Sequence, residues 1–155
     1  MMVSTKGRYA LRVLIDLALH PTDEYVSLKG IAERQDVSMK YLENIVATLS
    51  KAGYLESLRG KNGGYRLKET PDKYTVGSVL RLTEGTLAPV ACLENCNSEE
   101  CSHSASCLTL PLWHKLDNIV NEYLDSVTIA DLINKTIEIW SEKAGWVALL
   151  FGFIK

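Results

Sequence analysis

A chain of 155 residues that is 46% hydrophobic is the size of one domain, or of a small domain with an oligomerisation appendage, and can bury a core. Its net charge of −2 hides an asymmetry: residues 1–68 hold eleven Lys/Arg against seven Asp/Glu, and residues 69–155 hold six against twelve. A basic front half joined to an acidic back half fits a chain whose front half meets a polyanion, and a solvated surface with chance segregation of charge is the alternative.

In chain order, the first expected element is an amphipathic helix over 8–20, with Ala10, Val13, Leu14, Leu17 and Ala18 at i, i+3, i+4 spacing. His20-Pro21 ends it. Ser27 is a good N-cap for a short helix through Leu28, Ile31 and Ala32. Gln35-Asp36-Val37 turns the chain. Ser38 then caps a third helix with the stripe Leu42, Ile45, Val46 and Leu49, ending at Gly53. Two helices joined by a short turn form a helix-turn-helix pattern. The strand-favouring runs Tyr54–Leu58 and Tyr65–Lys68 flank Arg59-Gly60-Lys61-Asn62-Gly63-Gly64, where Asn-Gly signals a turn. A basic, glycine-rich hairpin in that place reads as a wing. The fold class expected is mainly α with a small β-hairpin: a winged helix-turn-helix domain plus a long dimerisation helix.

Val76–Glu84 reads as a further short helix, closing a DNA-binding domain over residues 1–84. A polar loop follows over 85–110, and a helical segment with an apolar tail fills 111–155. Pro111 suits a first helical turn. Trp113, Leu116, Val120, Tyr123 and Val127 alternate spacings of three and four, as a dimer seam does. A stripe packing on its own domain has the same periodicity. Thr128 caps a last helix over 129–140, and the apolar run Trp146–Ile154 should pack on this domain or on a partner.

Opposite the apolar stripe, the third helix presents Ser38, Lys40, Tyr41, Glu43 and Asn44. Ser38 and Tyr41 can hydrogen-bond phosphates, and Lys40 can pair with phosphate or guanine. Glu43 is repelled by DNA unless it accepts from cytosine N4, so it reads a base or discriminates against wrong sites. Arg59 and Lys61 at the hairpin tip suit the minor groove or its phosphates.

All four cysteines lie in one sixteen-residue segment as Cys92-x3-Cys96-x4-Cys101-x5-Cys107, with His103 inside it. No secretory leader is recognisable, since Asp16 interrupts the run Val13–Leu19, and no window is long enough to span a membrane. A cytoplasmic chain is expected, and there clustered cysteines are metal-binding or redox-active more often than disulfide-bonded. The spacing is not that of zinc ribbons or bacterial ferredoxins. A flexible polar loop can still wrap an iron–sulfur cluster, and four free thiols are the alternative. No nucleophile–base pair or phosphate loop accompanies His20, His103 or His114, so an enzyme is not expected.

Ser4-Thr5-Lys6-Gly7-Arg8-Tyr9-Ala10-Leu11, Ile31-Ala32-Glu33-Arg34-Gln35 with Ser38, Tyr41, Leu42 and Glu43, the wing Arg59-Gly60…Gly63-Gly64-Tyr65, and Cys107-Leu108-Thr109…Leu112-Trp113 together resemble the IscR-type family of winged-helix regulators. That family includes iron–sulfur, nitric-oxide and cysteine-metabolism sensors, and the resemblance covers nearly all of residues 3–135. It implies a homodimeric repressor or activator on a palindromic duplex site, with a long helix (here Leu112 to about Ser126) crossing its partner. The family's DNA contacts map to Ser38, Glu43 and Arg59, and its cluster ligands to Cys92, Cys101 and Cys107. A [2Fe–2S] cluster is expected ahead of [4Fe–4S]. Two departures stand out. The histidine that follows the last cysteine by three residues in cluster-binding members is here Leu110, and the N-terminal acid of the nitric-oxide sensors is here Arg8. Cys96 or His103, the partner subunit or a small exogenous ligand must then complete the set. A cluster-free thiol sensor, or a regulator working through a partner protein, is the alternative.

Overall fold

The computed structural model describes residues 3–21, 23–60, 63–93 and 106–134. Lys61, Cys96, Cys101, His103, the second half of the 129–140 helix and the apolar tail lie outside them.

Helix α1 (Thr5–Ala18) starts earlier than its apolar periodicity suggests, because Ser4 caps it: its Oγ accepts from the Gly7 N–H at 3.2 Å. Ser27 caps α2 (Leu28–Gln35) in the same way, through the Gly30 N–H. The turn after α2 places Asp36 at φ 53, a left-handed conformation that aspartate tolerates better than most residues. Ser38 caps α3 (Met39–Lys51), and Gly53 at φ 80 stops it just past the C-cap. Leu14, Ile31, Leu42, Ile45 and Leu49 from the three helices meet in one fully buried core. Each such side chain contributes about 1.5–3 kcal/mol by leaving water.

Strands β1 (Leu55–Leu58) and β2 (Gly64–Leu67) pair antiparallel, from Leu55 opposite Leu67 to Leu58 opposite Gly64. The connection is therefore five residues long, one shorter than the Arg59–Gly64 stretch expected between the strands. The Gly63 N–H donates to the Gly60 carbonyl at 3.0 Å to close it, with Gly60 at φ 115. Gly64 decides the register's end. The Val26 carbonyl approaches its Cα so closely that no Cβ fits, and Val26 bridges Tyr65 as a fragment of a third strand.

Helix α4 (Val76–Glu84) follows a single 3-10 turn, and Gly85 at φ 83 ends it. Helix α5 (Leu110–Ser126) runs back antiparallel to α4, with Pro111 in its first turn. The base of this pair is zipped to the domain. The Val76 N–H donates to the Val127 carbonyl at 2.8 Å, and the Ile129 N–H to the Tyr74 carbonyl at 2.9 Å. Thr128 and Asp131 form a reciprocal cap, residues 129–134 are helical, and Ile129 is fully buried in the main core. A second, smaller core of Val76, Leu80, Leu87 and Val127 binds the two arms together, with Val3, Leu11, Leu124 and Leu132 around it.

Candidate DNA interface and cysteine segment

Because Leu42, Ile45, Val46 and Leu49 fill one side of α3, the opposite side must face solvent. Lys40, Glu43, Asn44, Ala47 and Lys51 lie there, all exposed. Ser38 is exposed at the start, its Oγ accepting from the Tyr41 N–H at 3.3 Å while its own hydroxyl hydrogen stays available. Tyr41 is placed differently from the rest of the expected set. It is half-buried at the edge of this face, with its ring edge-on to Tyr9 at 5.9 Å between centroids. Arg12 stacks on the Tyr9 ring at 4.8 Å. The Tyr41 ring is thus part of the joint between α1 and α3. Arg59 is exposed where the wing tip leaves β1. Arg66 on β2 pairs with Glu56 at 2.7 Å and covers Tyr25 at 4.7 Å, stiffening the wing across its pairing.

The turn between α2 and α3 is held by a buried carboxylate. Asp16 is 5% exposed and accepts two hydrogen bonds from Arg34, at 2.6 and 3.0 Å, and one from Gln35 at 2.8 Å. Gln35 in turn accepts from Arg12 at 2.7 Å. Burial pushes the Asp16 carboxyl up, but the hydrogen bonds from Arg34 and Gln35 prevail and hold it below its usual value of 3.8. This network was not foreseen from the sequence. Its only trace there is an acid on the apolar face of α1, between Val13 and Leu17, where an unpaired charge would be costly.

The cysteine segment hangs between α4 and α5. Leu87 is buried in the second core and anchors the chain just past α4, and Cys92 follows, exposed in the 3-10 turn Ala91–Leu93. At the other end Cys107 precedes α5. Its Sγ lies 3.4 Å from the Thr109 hydroxyl. That hydrogen bond, with backbone N–H groups of Thr109 and Leu110, holds the thiol below its usual range and favours the thiolate, the form that ligates metals and attacks electrophiles. Among the described residues no three His, Cys, Asp or Glu side chains gather into a metal-holding group. Cys92 and Cys107 are two soft donors of the expected set, and Cys96, Cys101 and His103 lie outside the described residues.

On α5 the expected seam divides. Val127, just past the helix, is buried in the second core, Trp113 and Val120 are half-buried, and Leu116 and Tyr123 are exposed. The exposed apolar stripe is Leu112 (59%), Leu116 (39%), Ile119 (50%) and Tyr123 (67%), again at spacings of four and three. Spacings of three and four therefore occur on two sides of one helix, and the periodicity by itself does not separate them. Among the described residues, no helix is long and apolar enough to cross a membrane.

The chain matches the family model described as Rrf2, iron-dependent transcriptional regulator, over residues 3–135. It is 40% identical over 136 residues to the HTH-type transcriptional regulator CymR of Bacillus subtilis, covering 88% of this chain and 92% of that one. It is 37% identical over 133 residues to the HTH-type transcriptional regulator IscR of Photobacterium profundum, covering 86% of this chain and 76% of the relative. Among solved structures it is similar to CymR, the global cysteine regulator of B. subtilis (TM-score 0.70, 38% identity, 86% and 97% of the two chains). It is equally similar to T. potens IscR (TM-score 0.69, 38% identity, 88% of each). A winged helix-turn-helix with a basic wing and a matched family model over 3–135 leads to one conclusion: the chain belongs to the Rrf2 family of transcriptional regulators and is a DNA-binding protein, not an enzyme.

Proposed function

We propose that the chain is a homodimeric regulator of a palindromic promoter site whose DNA affinity is set by an iron–sulfur cluster held by Cys92, Cys101 and Cys107, with Cys96 or His103 as fourth ligand. Duplex contact is made by Ser38, Lys40 and Glu43 from α3, with Tyr41 at its edge and Arg59 and Lys61 from the wing. One observation carries the reading: the cysteine segment is strung between the two helical arms, with Cys92 just past the anchored Leu87 and Cys107 at the head of α5. Any constraint on that segment is felt at both arms. Helix α4 is tied to the start of α1, since the Ser4 N–H and hydroxyl both donate to Glu84. Helix α5 bears the exposed stripe that a second copy would cover. The lowered Cys107 thiol suits soft-metal ligation. When bound, such a cluster supplies an iron- and redox-responsive group whose retention depends on its thiolate donors.

Anaerobic purification tests this. The expected product is coloured and contains iron and acid-labile sulfide, both lost on replacing Cys92, Cys101 or Cys107 by Ala. Loaded and stripped protein should also differ in affinity for a selected operator. Colourless, iron-free protein with every thiol titratable would sink the cluster. The second reading, a cluster-free thiol sensor, draws on the similarity to CymR and on the thiolate character of Cys107. In that case oxidation of Cys107 alone alters DNA affinity, and iron has no effect.

A further inference from the structure

Helix α4 carries one arginine that reaches along two turns of α5. The Arg81 Nη1 donates to Asn121 Oδ1 at 2.8 Å, and Nη2 pairs with the Asp125 carboxylate one turn further on. Asn121 continues the chain, its Nδ2 donating to the Asp117 carbonyl at 2.9 Å and to the Asp117 carboxylate at 3.1 Å. Across from Asp125, α4 has Gly77, where a Cβ would strike that carboxylate. A planar guanidinium with two partners at fixed separation specifies register and rotation between helices in a way that an apolar contact does not. The apolar residues beside it, Leu80, Leu124 and Val127, would tolerate sliding far better.

Arg81 and Asp125 are 38% and 46% exposed, so the pair adds little to folding. Its effect is geometric. The seam Leu112, Leu116, Ile119 and Tyr123 and the clamp Asn121 and Asp125 share one rigid seventeen-residue helix. Turning α5 against α4 therefore turns the whole DNA-binding domain against the seam, and so against the second recognition helix. With recognition helices about 34 Å apart, each has a lever of about 17 Å, and a roughly 10° turn at the α4–α5 joint, which lies off the line joining them, displaces each by about 3 Å, close to one base-pair step.

We infer that Arg81, through Asn121 and Asp125, is a positioning residue that sets the half-site spacing the dimer accepts. The inference rests on the dimeric reading above. The test uses full-length protein, an operator selected from randomised duplexes, and versions of it with one base pair inserted or deleted between half-sites. Wild type should lose about tenfold in affinity on either change. Arg81→Gln and Asp125→Asn should bind all three spacings within about twofold of one another, while remaining dimeric and melting within a few degrees of wild type. The reversal Arg81→Asp with Asp125→Arg should restore the spacing preference, which a merely structural contact would not. Retained preference in Arg81→Gln, or no recovery in the reversal, overturns the inference. A wild-type protein that is monomeric overturns the dimeric reading and the inference with it, whereas a dimer that survives charges placed on the seam leaves the dimeric reading standing and overturns the inference alone.

Discussion

Asp16 illustrates how much one buried group can organise. Three hydrogen bonds from Arg34 and Gln35 tie it to the end of α2, immediately before the turn into α3, so the helix-turn-helix is held to α1 by a charge and not only by apolar contact. Asp16→Asn keeps the shape and loses the charge-assisted bonds, and should lower stability by about 1.5–3 kcal/mol in urea or thermal unfolding. The pH dependence has a definite sign. The folded carboxyl lies below its usual 3.8, so its contribution is complete above that value and is lost as pH falls through the depressed folded value. Wild type and Asp16→Asn should therefore differ by a constant amount at neutral pH and converge in acid. At the DNA face, Glu43→Ala should relax discrimination at one base position in a binding-site selection and strengthen binding to unrelated duplexes, since a repelling carboxylate is removed.

Among elements, the wing and α5 each depend on a local feature that determines their placement. The wing's second strand begins at Gly64 because the Val26 carbonyl occupies the space of a side chain. Gly64→Ala should cost about 1–3 kcal/mol and displace the hairpin, with operator affinity falling more than the melting temperature implies. Helix α5 presents opposite faces to two environments. Leu116→Lys or Ile119→Lys on its exposed stripe should change the stability of the isolated domain by only about 0.5 kcal/mol. In sedimentation, the same changes should weaken the proposed dimer by about 30-fold or more, the effect of removing a central interface anchor.

For the whole molecule, the basic front half carries the recognition helix and wing, and the acidic remainder carries the cysteine segment and α5. Operator affinity should fall linearly on a log–log plot against salt. Neutralising Lys40 or Arg59 should reduce that slope by about one each if each meets a phosphate, and leave sequence preference largely intact.

The order of helices, wing and α5 was legible in the sequence because each is specified locally. Ser4, Ser27, Ser38 and Thr75 cap helices through their own neighbours, and apolar spacing selects the buried face. The grouping of four soft donors in sixteen residues can likewise be read without a fold, whereas what they hold depends on their arrangement in space. What the sequence left open involves pairs distant in the chain. Tertiary structure decided that Tyr41 packs on Tyr9, that Asp16 is satisfied by Arg34 and Gln35, and which side of α5 is covered by α4. It also brought Arg81 to Asn121 and Asp125. Capping and periodicity act within a few residues and can be read one element at a time. The partner of a charge, or the covered face of a helix apolar on two sides, depends on how the elements are assembled.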